Sequence, residues 1–285
     1  MLRTTIRVMG AAALCLAGKA MAAYVCSVTV TSITTVYSPT VATDNITTGS
    51  YTVSCTRLVS DPATLNYSLG ADNGVHAAGA QDRVQQGATA NRYNYEPYRL
   101  TPYVNANRWQ DAAATRFNGS IAFGAGLSGS DTKAFDLRVP GSQAVRPAGT
   151  YTDTVAVTLR NLAGLATLAS GAFNVTVITT NSCQIETAPG NLSFSYTSFQ
   201  AGIVTASTTF GARCTTGLPY TMALDVTAGT LLGLNYMLSL SAAGGTGNGL
   251  EQTYTINGSI AAGQAGTCAS ASCAGSQTRT LTITY

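Results

Sequence analysis

One order of short strands, each time opened by a cysteine, occurs twice along the chain. The first copy starts with V-C-S-V-T-V from Val25, and the second with C-Q-I from Cys183. In each copy a second cysteine ends a strand, S-Y-T-V-S-C at Cys55 and S-T-T-F-G-A-R-C at Cys214. Another strand follows directly, T-L-N-Y-S-L from Thr64 and P-Y-T-M-A-L-D-V from Pro219. Tyr/Leu-rich stretches at 93–104 and 231–240 come next, then 116–123 and 252–260. Each copy closes on a Thr-rich strand, 150–159 and 278–285. Short alternating strands between Gly, Asn and Asp turns, with no convincing amphipathic helix, predict an all-β chain. The expected architecture is two tandem immunoglobulin-like antiparallel β-sandwiches.

Composition narrows what such a chain can do. Only 9% of residues are charged, and 45% are hydrophobic. The first 22 residues read as a signal peptide: Arg3 and Arg7 precede a short apolar run, and Ala20-Met21-Ala22 is a small-x-small cleavage site. The run is too short to span a bilayer. The formal charge of +3 includes Arg3, Arg7 and Lys19, and without them acids and bases are equal in number. No phosphate-binding patch remains, and nucleic acid is not an expected partner.

Of the seven cysteines, Cys15 lies in the leader. The even number left in an exported chain reads as disulfides. Spacing suggests Cys26 with Cys55, Cys183 with Cys214, and Cys268 with Cys273. Each of the first two would stabilise by roughly 3–4 kcal/mol in the chain-entropy model. No CxxC pair exists, and the single histidine, His76, lies in a polar stretch, 73–90, that reads as a surface loop. No metal site, cofactor or catalytic residue is expected. Ser and Thr are abundant but have no G-x-S-x-G context, and no convergent acid–base pair is visible, so the chain does not read as an enzyme.

The two copies differ at one place. After the first comes G-A-F-N-V-T-V-I-T-T-N-S-C, residues 171–183, where Phe173, Val175 and Val177 alternate with Asn174 and Thr176. That is the period of a strand with one buried face. The second copy ends within its last strand, at Leu281, Ile283 and Tyr285, with no such segment after it. A sandwich one strand short exposes core side chains and an unpaired edge, so the second copy is expected to need a strand from elsewhere.

The cysteine pair of each copy, G-T-Y-T-D-T-V-A-V-T-L at 149–159, Y-V-N-A-N-R-W at 103–109 and the terminal T-L-T-I-T-Y resemble the spore coat protein U family, subunits of archaic chaperone–usher pili. The second copy departs from the pattern in lacking a tryptophan and the G-x-Y-x-D form and in gaining Cys268 and Cys273. The resemblance implies subunits that are incomplete sandwiches, completed first by a periplasmic chaperone and then by the extension of the next subunit at an outer-membrane usher. It makes Phe173, Val175 and Val177 a donor-like strand serving the first sandwich in cis, and Leu281, Ile283 and Tyr285 an edge that accepts a strand from an adjacent pilin. Residues 1–22 are then leader, 23–180 a first domain including the donor-like segment 171–180, and 181–285 a second domain.

Only Ala23-Tyr24-Val25 separates the leader from Cys26. The resemblance therefore implies a chain that accepts a strand without giving one. That is the two-domain tip adhesin, exported through the periplasm to the cell surface and mediating attachment to a host or abiotic surface and biofilm formation. A structural coat or matrix protein of the same fold is the alternative. Strand reversal places three apolar stretches at the outer end of the first domain: Leu162, Leu165 and Leu168 in 161–170, Leu58 and Val59 in 56–63, and Trp109 in 105–115. These are the expected adhesive loops.

Overall fold

The computed structural model describes residues 24–162 and 166–285. The signal-peptide expectation, and with it Arg3, Arg7 and Cys15, lies outside them, as does Leu165. The first sandwich begins with β1 (Val25–Val30), β2 (Ile33–Val36), β3 (Asn45–Thr56), β4 (Thr64–Ala71) and β5 (Asp82–Gln85). It continues with β6 (Arg92–Tyr98), β7 (Phe117–Ala122), β8 (Ser128–Val139), β9 (Gly149–Asn161) and β10 (Thr167–Thr179). The second contains β11 (Cys183–Thr187), β12 (Val204–Cys214), β13 (Pro219–Leu224), β14 (Ala228–Leu231), β15 (Leu234–Leu240), β16 (Gly244–Thr246), β17 (Glu251–Ile260) and β18 (Leu281–Thr284).

In the first sandwich β1, β3, β8 and β6 form one layer, and β2, β10, β9, β4 and β7 the other, with β5 pairing β6 and β9. The second repeats this plan: β11, β12, β17, β15 and β14 form one layer, and β16, β13 and β18 the other. The cores are separate. The first is continuous from Tyr24 to Val177, built from the inward residues of both layers, such as Tyr51, Leu69, Phe135 and Val157. The second is split into a cluster around Phe210 and Tyr220 and another around Tyr236 and Ile260, both flanked by half-buried Leu192 and Leu224. Cys26 bonds Cys55, Cys183 bonds Cys214, and Cys268 bonds Cys273. The first two link directly opposed residues of neighbouring strands, Cys26 across from Cys55 and Cys183 across from Cys214.

Three expectations need correction. The stretch 73–90 is not simply surface loop: it contains β5, with Asp82 and Val84 buried. The Tyr/Leu-rich stretch 93–104 is extended only to Tyr98, and Pro102 follows in a cis peptide. Finally, the strand 252–260 does not correspond to 116–123. β17 pairs with β12 and β15 as β8 pairs with β3 and β6, so its counterpart is β8. β8 was illegible because its first half, S-G-S-D-T-K-A, has no large apolar residue; only Phe135, Leu137 and Val139 alternate inward.

Candidate functional site

The alternation of 171–183 becomes geometry in β10. It lies antiparallel to β9, with Phe173 across from Val155, Val175 from Asp153 and Val177 from Tyr151. On its other side it pairs in parallel with β2, Val175 across from Ile33 and Val177 from Thr35. Phe173, Val175 and Val177 are all buried in the first core. Asn174 faces out and accepts a hydrogen bond from the Thr154 hydroxyl. β10 is thus hydrogen-bonded on both sides, and its apolar face closes the first sandwich. Fully burying three such side chains stabilises by roughly 1.5–3 kcal/mol each.

Trp109 belongs to this closure and not to the surface. It is 0% exposed, and its indole Nε1 donates to the Leu69 carbonyl at 3.0 Å. Its ring stacks on Phe173 at 5.8 Å with an interplanar angle of 5° and meets Phe135 edge-on at 5.0 Å. The loop that carries it is held at the flank of the sandwich, where the Trp109 amide bonds the Pro97 carbonyl and Arg160 bonds Asp111. Trp109 and 105–115 are therefore removed from the expected adhesive end. The reason is that the loop's aromatic ring is needed to fill the gap between the layers opposite Phe173. Beneath the same loop lies a buried ion pair, Arg108 to Asp82 at 2.8 Å. Burial pushes the Asp82 carboxyl up to about 7, against the opposing pull of Arg108. No simple sequence signal marks this pair, because Asp82 comes from β5 and Arg108 from the loop between β6 and β7.

The second sandwich lacks a counterpart of β10 among the described residues. β18 pairs with β13, as β9 pairs with β4, but nothing pairs with its other edge. The counterpart of β2 is 192–196, where Leu192, Phe194 and Tyr196 alternate half-buried while the backbone has no strand partner. Its rings still cover the core; a Cβ on Gly258 would lie 2.5 Å from Phe194. Leu281 and Ile283 are half-buried, and Tyr285 is exposed. The two segments that would flank a β10, β18 and 192–196, are therefore present, each with an unpaired edge and an inward apolar row.

At the outer end, β3 leads into 57–63, β7 leads into 123–127, and β9 ends beside Leu162. The Arg57 amide bonds the Leu127 carbonyl, the Phe123 amide bonds Ala63, and the Leu162 amide bonds Asn66. Arg57 also lies 5.7 Å above the Phe123 ring, which stacks on Tyr24. Leu58 and Val59 are 59% and 80% exposed, and Leu127 and Leu162 are also exposed. Leu168 is not in the reversal, because β9 and β10 extend to Asn161 and from Thr167; it is half-buried against the core. Leu127 is an addition that sequence reading missed, since locating it required the pairing of β7 with β4. Among the described residues, no helix is long and apolar enough to cross a membrane, and no cluster of His, Cys, Asp or Glu could hold a metal ion.

Solved structures to which the chain is similar include the CupB6 tip adhesin from Pseudomonas aeruginosa, with 10% identity and a TM-score of 0.39, covering 91% of this chain and 94% of that one. CfaE, the adhesive subunit of CFA/I fimbria of enterotoxigenic Escherichia coli, shares 11% identity with a TM-score of 0.30, over 81% of this chain and 86% of CfaE. Self-complemented MyfA, the major subunit of Myf fimbriae from Yersinia enterocolitica, shares 12% identity with a TM-score of 0.32, over 54% of this chain and 98% of MyfA. No curated protein matches the sequence. The profile of the Spore Coat Protein U domain matches residues 11–158 and 169–243, well over half of the chain, and the protein belongs to that family.

Proposed function

We propose that the chain is the tip adhesin of a secreted chaperone–usher pilus. Its second sandwich takes a donor strand, first from a periplasmic chaperone and then, at an outer-membrane usher, from the adjacent pilin. Its first sandwich, already closed, meets a host or abiotic surface and promotes biofilm formation. One contrast carries the reading: β10 seals the first sandwich from within the chain, while β18 and 192–196 of the second keep free edges. In the first sandwich β10 already fills the gap between β9 and β2, whereas the matching gap in the second is open to β-augmentation. The exposed apolar end at Leu58, Val59, Leu127 and Leu162 supplies a contact surface remote from the open sandwich.

Gold-labelled antibody against this chain, applied to cells expressing its assembly partners, tests the reading. The expected pattern is label at the free ends of fibres. Label along the fibre shafts, or spread over a coat without fibres, would overturn it and favour the structural coat protein.

A further inference from the structure

The internal repeat allows one junction to be read twice. Inside the chain, the first sandwich meets the second through a short linker and a small docked surface. The linker is fastened to the second sandwich at once: the Ser182 amide donates to the Thr215 hydroxyl at 3.0 Å, and the Thr215 amide to the Ser182 carbonyl at 2.9 Å, extending the β11–β12 pairing by one residue. Above them, Val145, in the loop between β8 and β9, is buried. Its carbonyl accepts the Thr216 hydroxyl at 3.0 Å, and a Cβ on Gly249 would come within 2.5 Å of it. So one end of the first sandwich seats the cysteine-bearing end of the next.

The second sandwich has that same end, built on the same frame. In the first, the Ser142 amide bonds the Val41 carbonyl and so ties the loop after β8 to the loop after β2. In the second, the Gly263 amide bonds Gln200 and the Phe199 amide bonds Gln264, tying the loop after β17 to 197–203. This loop, 261–280, is longer, stapled by Cys268–Cys273, and fastened to the β14–β15 hairpin by Thr267 to Leu232 at 2.8 Å and Gln277 to Thr230 at 2.9 Å. The rim it forms is uncharged over 197–203, 226–233 and 261–268 and presents Phe199 at 73% and Ile203 at 66% exposure, beside exposed Leu232. Phe199 and Leu232 also hold left-handed backbone, φ 59° and 52°, which bulky side chains seldom adopt. Strained, exposed apolar residues gathered at one end are what an interaction surface retains.

We propose that this rim is a docking face for the cysteine-bearing end of another sandwich of the same family, one that arrives with the strand completing the edge of β18. The inference rests on the strand-acceptor reading above. Its occupant is argued from the intrachain junction, where the equivalent end already seats such a partner. The subunit contact would then be a strand plus a face, not a strand alone, and the face would slow dissociation.

The test uses two probes against the immobilised full chain. One is a peptide of residues 171–182. The other is a second copy of residues 24–285 preceded by that segment, with its own second sandwich closed by a further copy of the segment joined after Tyr285. The donor-bearing chain should dissociate more slowly than the peptide. Phe199→Asn with Ile203→Ser in the acceptor should remove about tenfold or more of that difference, since about one buried side chain's worth of contact is lost per site. Asn tolerates the left-handed backbone at 199, so the variant keeps the local fold. The peptide should leave the variant at its original rate. An unchanged rate for the donor-bearing chain overturns the docking face while leaving the strand-acceptor reading intact. Equal acceleration of both probes assigns Phe199 and Ile203 to the strand site and also overturns the face. If neither probe binds, the acceptor reading falls and the proposal with it.

Discussion

Val175 shows how much one position carries. It is fully buried, and directly across β9 lies Asp153, itself buried, where it accepts the Tyr95 hydroxyl at 2.7 Å and the Val75 amide at 3.0 Å. Burial raises the Asp153 carboxyl above the usual range. Val175→Asp would place a second carboxyl beside it without a partner, and burying an uncompensated charge costs about 3–5 kcal/mol. The variant should unfold the first sandwich and leave strand binding by the second intact. Asn174→Asp, one residue away on the exposed face, should melt like the parent. Separate thermal transitions of the two sandwiches, followed by near-UV circular dichroism, measure this; a Val175→Asp protein with an unchanged first transition would refute the role given to β10. Trp109 belongs to the same account, since it stacks on Phe173 and reports on whether β10 is seated.

At the scale of elements, β10 and β18 are the informative pair. β9 is flanked by β4 and β10, whereas β18 has β13 alone. A four-residue edge strand with one neighbour is weakly held, and the half-buried Leu192, Phe194, Leu281 and Ile283 show a core short of one apolar row. Joining residues 171–180 after Tyr285 through a flexible turn should let the strand fold back between β18 and 192–196. Three newly buried side chains at roughly 1.5–3 kcal/mol each, less the entropy of ordering the strand, should raise the melting temperature of the second sandwich by about 10 °C or more. Calorimetry of the extended and parent chains decides this. Equal melting temperatures would mean that the second sandwich is already complete.

For the whole molecule, the two sandwiches stack in the same sense, so the chain has unlike ends. One carries Leu58, Val59, Leu127 and Leu162 on turns anchored by Arg57 and Tyr24; the other carries the open edge and the apolar rim of Phe199 and Ile203. Under the function proposed above, these unlike ends are those of a fibre terminus. Replacing Leu58, Val59, Leu127 and Leu162 together with Ser should cut attachment of piliated cells to polystyrene about tenfold or more while fibres still assemble, because the desolvated apolar area is lost at a site remote from the strand acceptor. Counting attached cells against fibre number per cell measures it, and attachment at the parental level would exclude these turns from the contact.

Local pattern determined a good deal by itself. Alternation located β1, β3, β4, β9 and the segment of β10, and the paired cysteines at matching places in each copy announced two sandwiches of one plan. These were legible because strand periodicity and disulfide spacing are properties of neighbouring residues. What only the tertiary structure decided is where each apolar residue ends up. Trp109, in a loop, is drawn into the core by Phe173 and the Leu69 carbonyl; Leu168 moves from a loop into β10; Leu127 reaches the outer end because β7 pairs with β4. β5 and β8 escaped because their buried residues are few or charged, and Asp82 is affordable in a core only when Arg108, from a distant loop, faces it. In each case the deciding partner is far away in the chain, and burial depends on that partner, which no local period encodes.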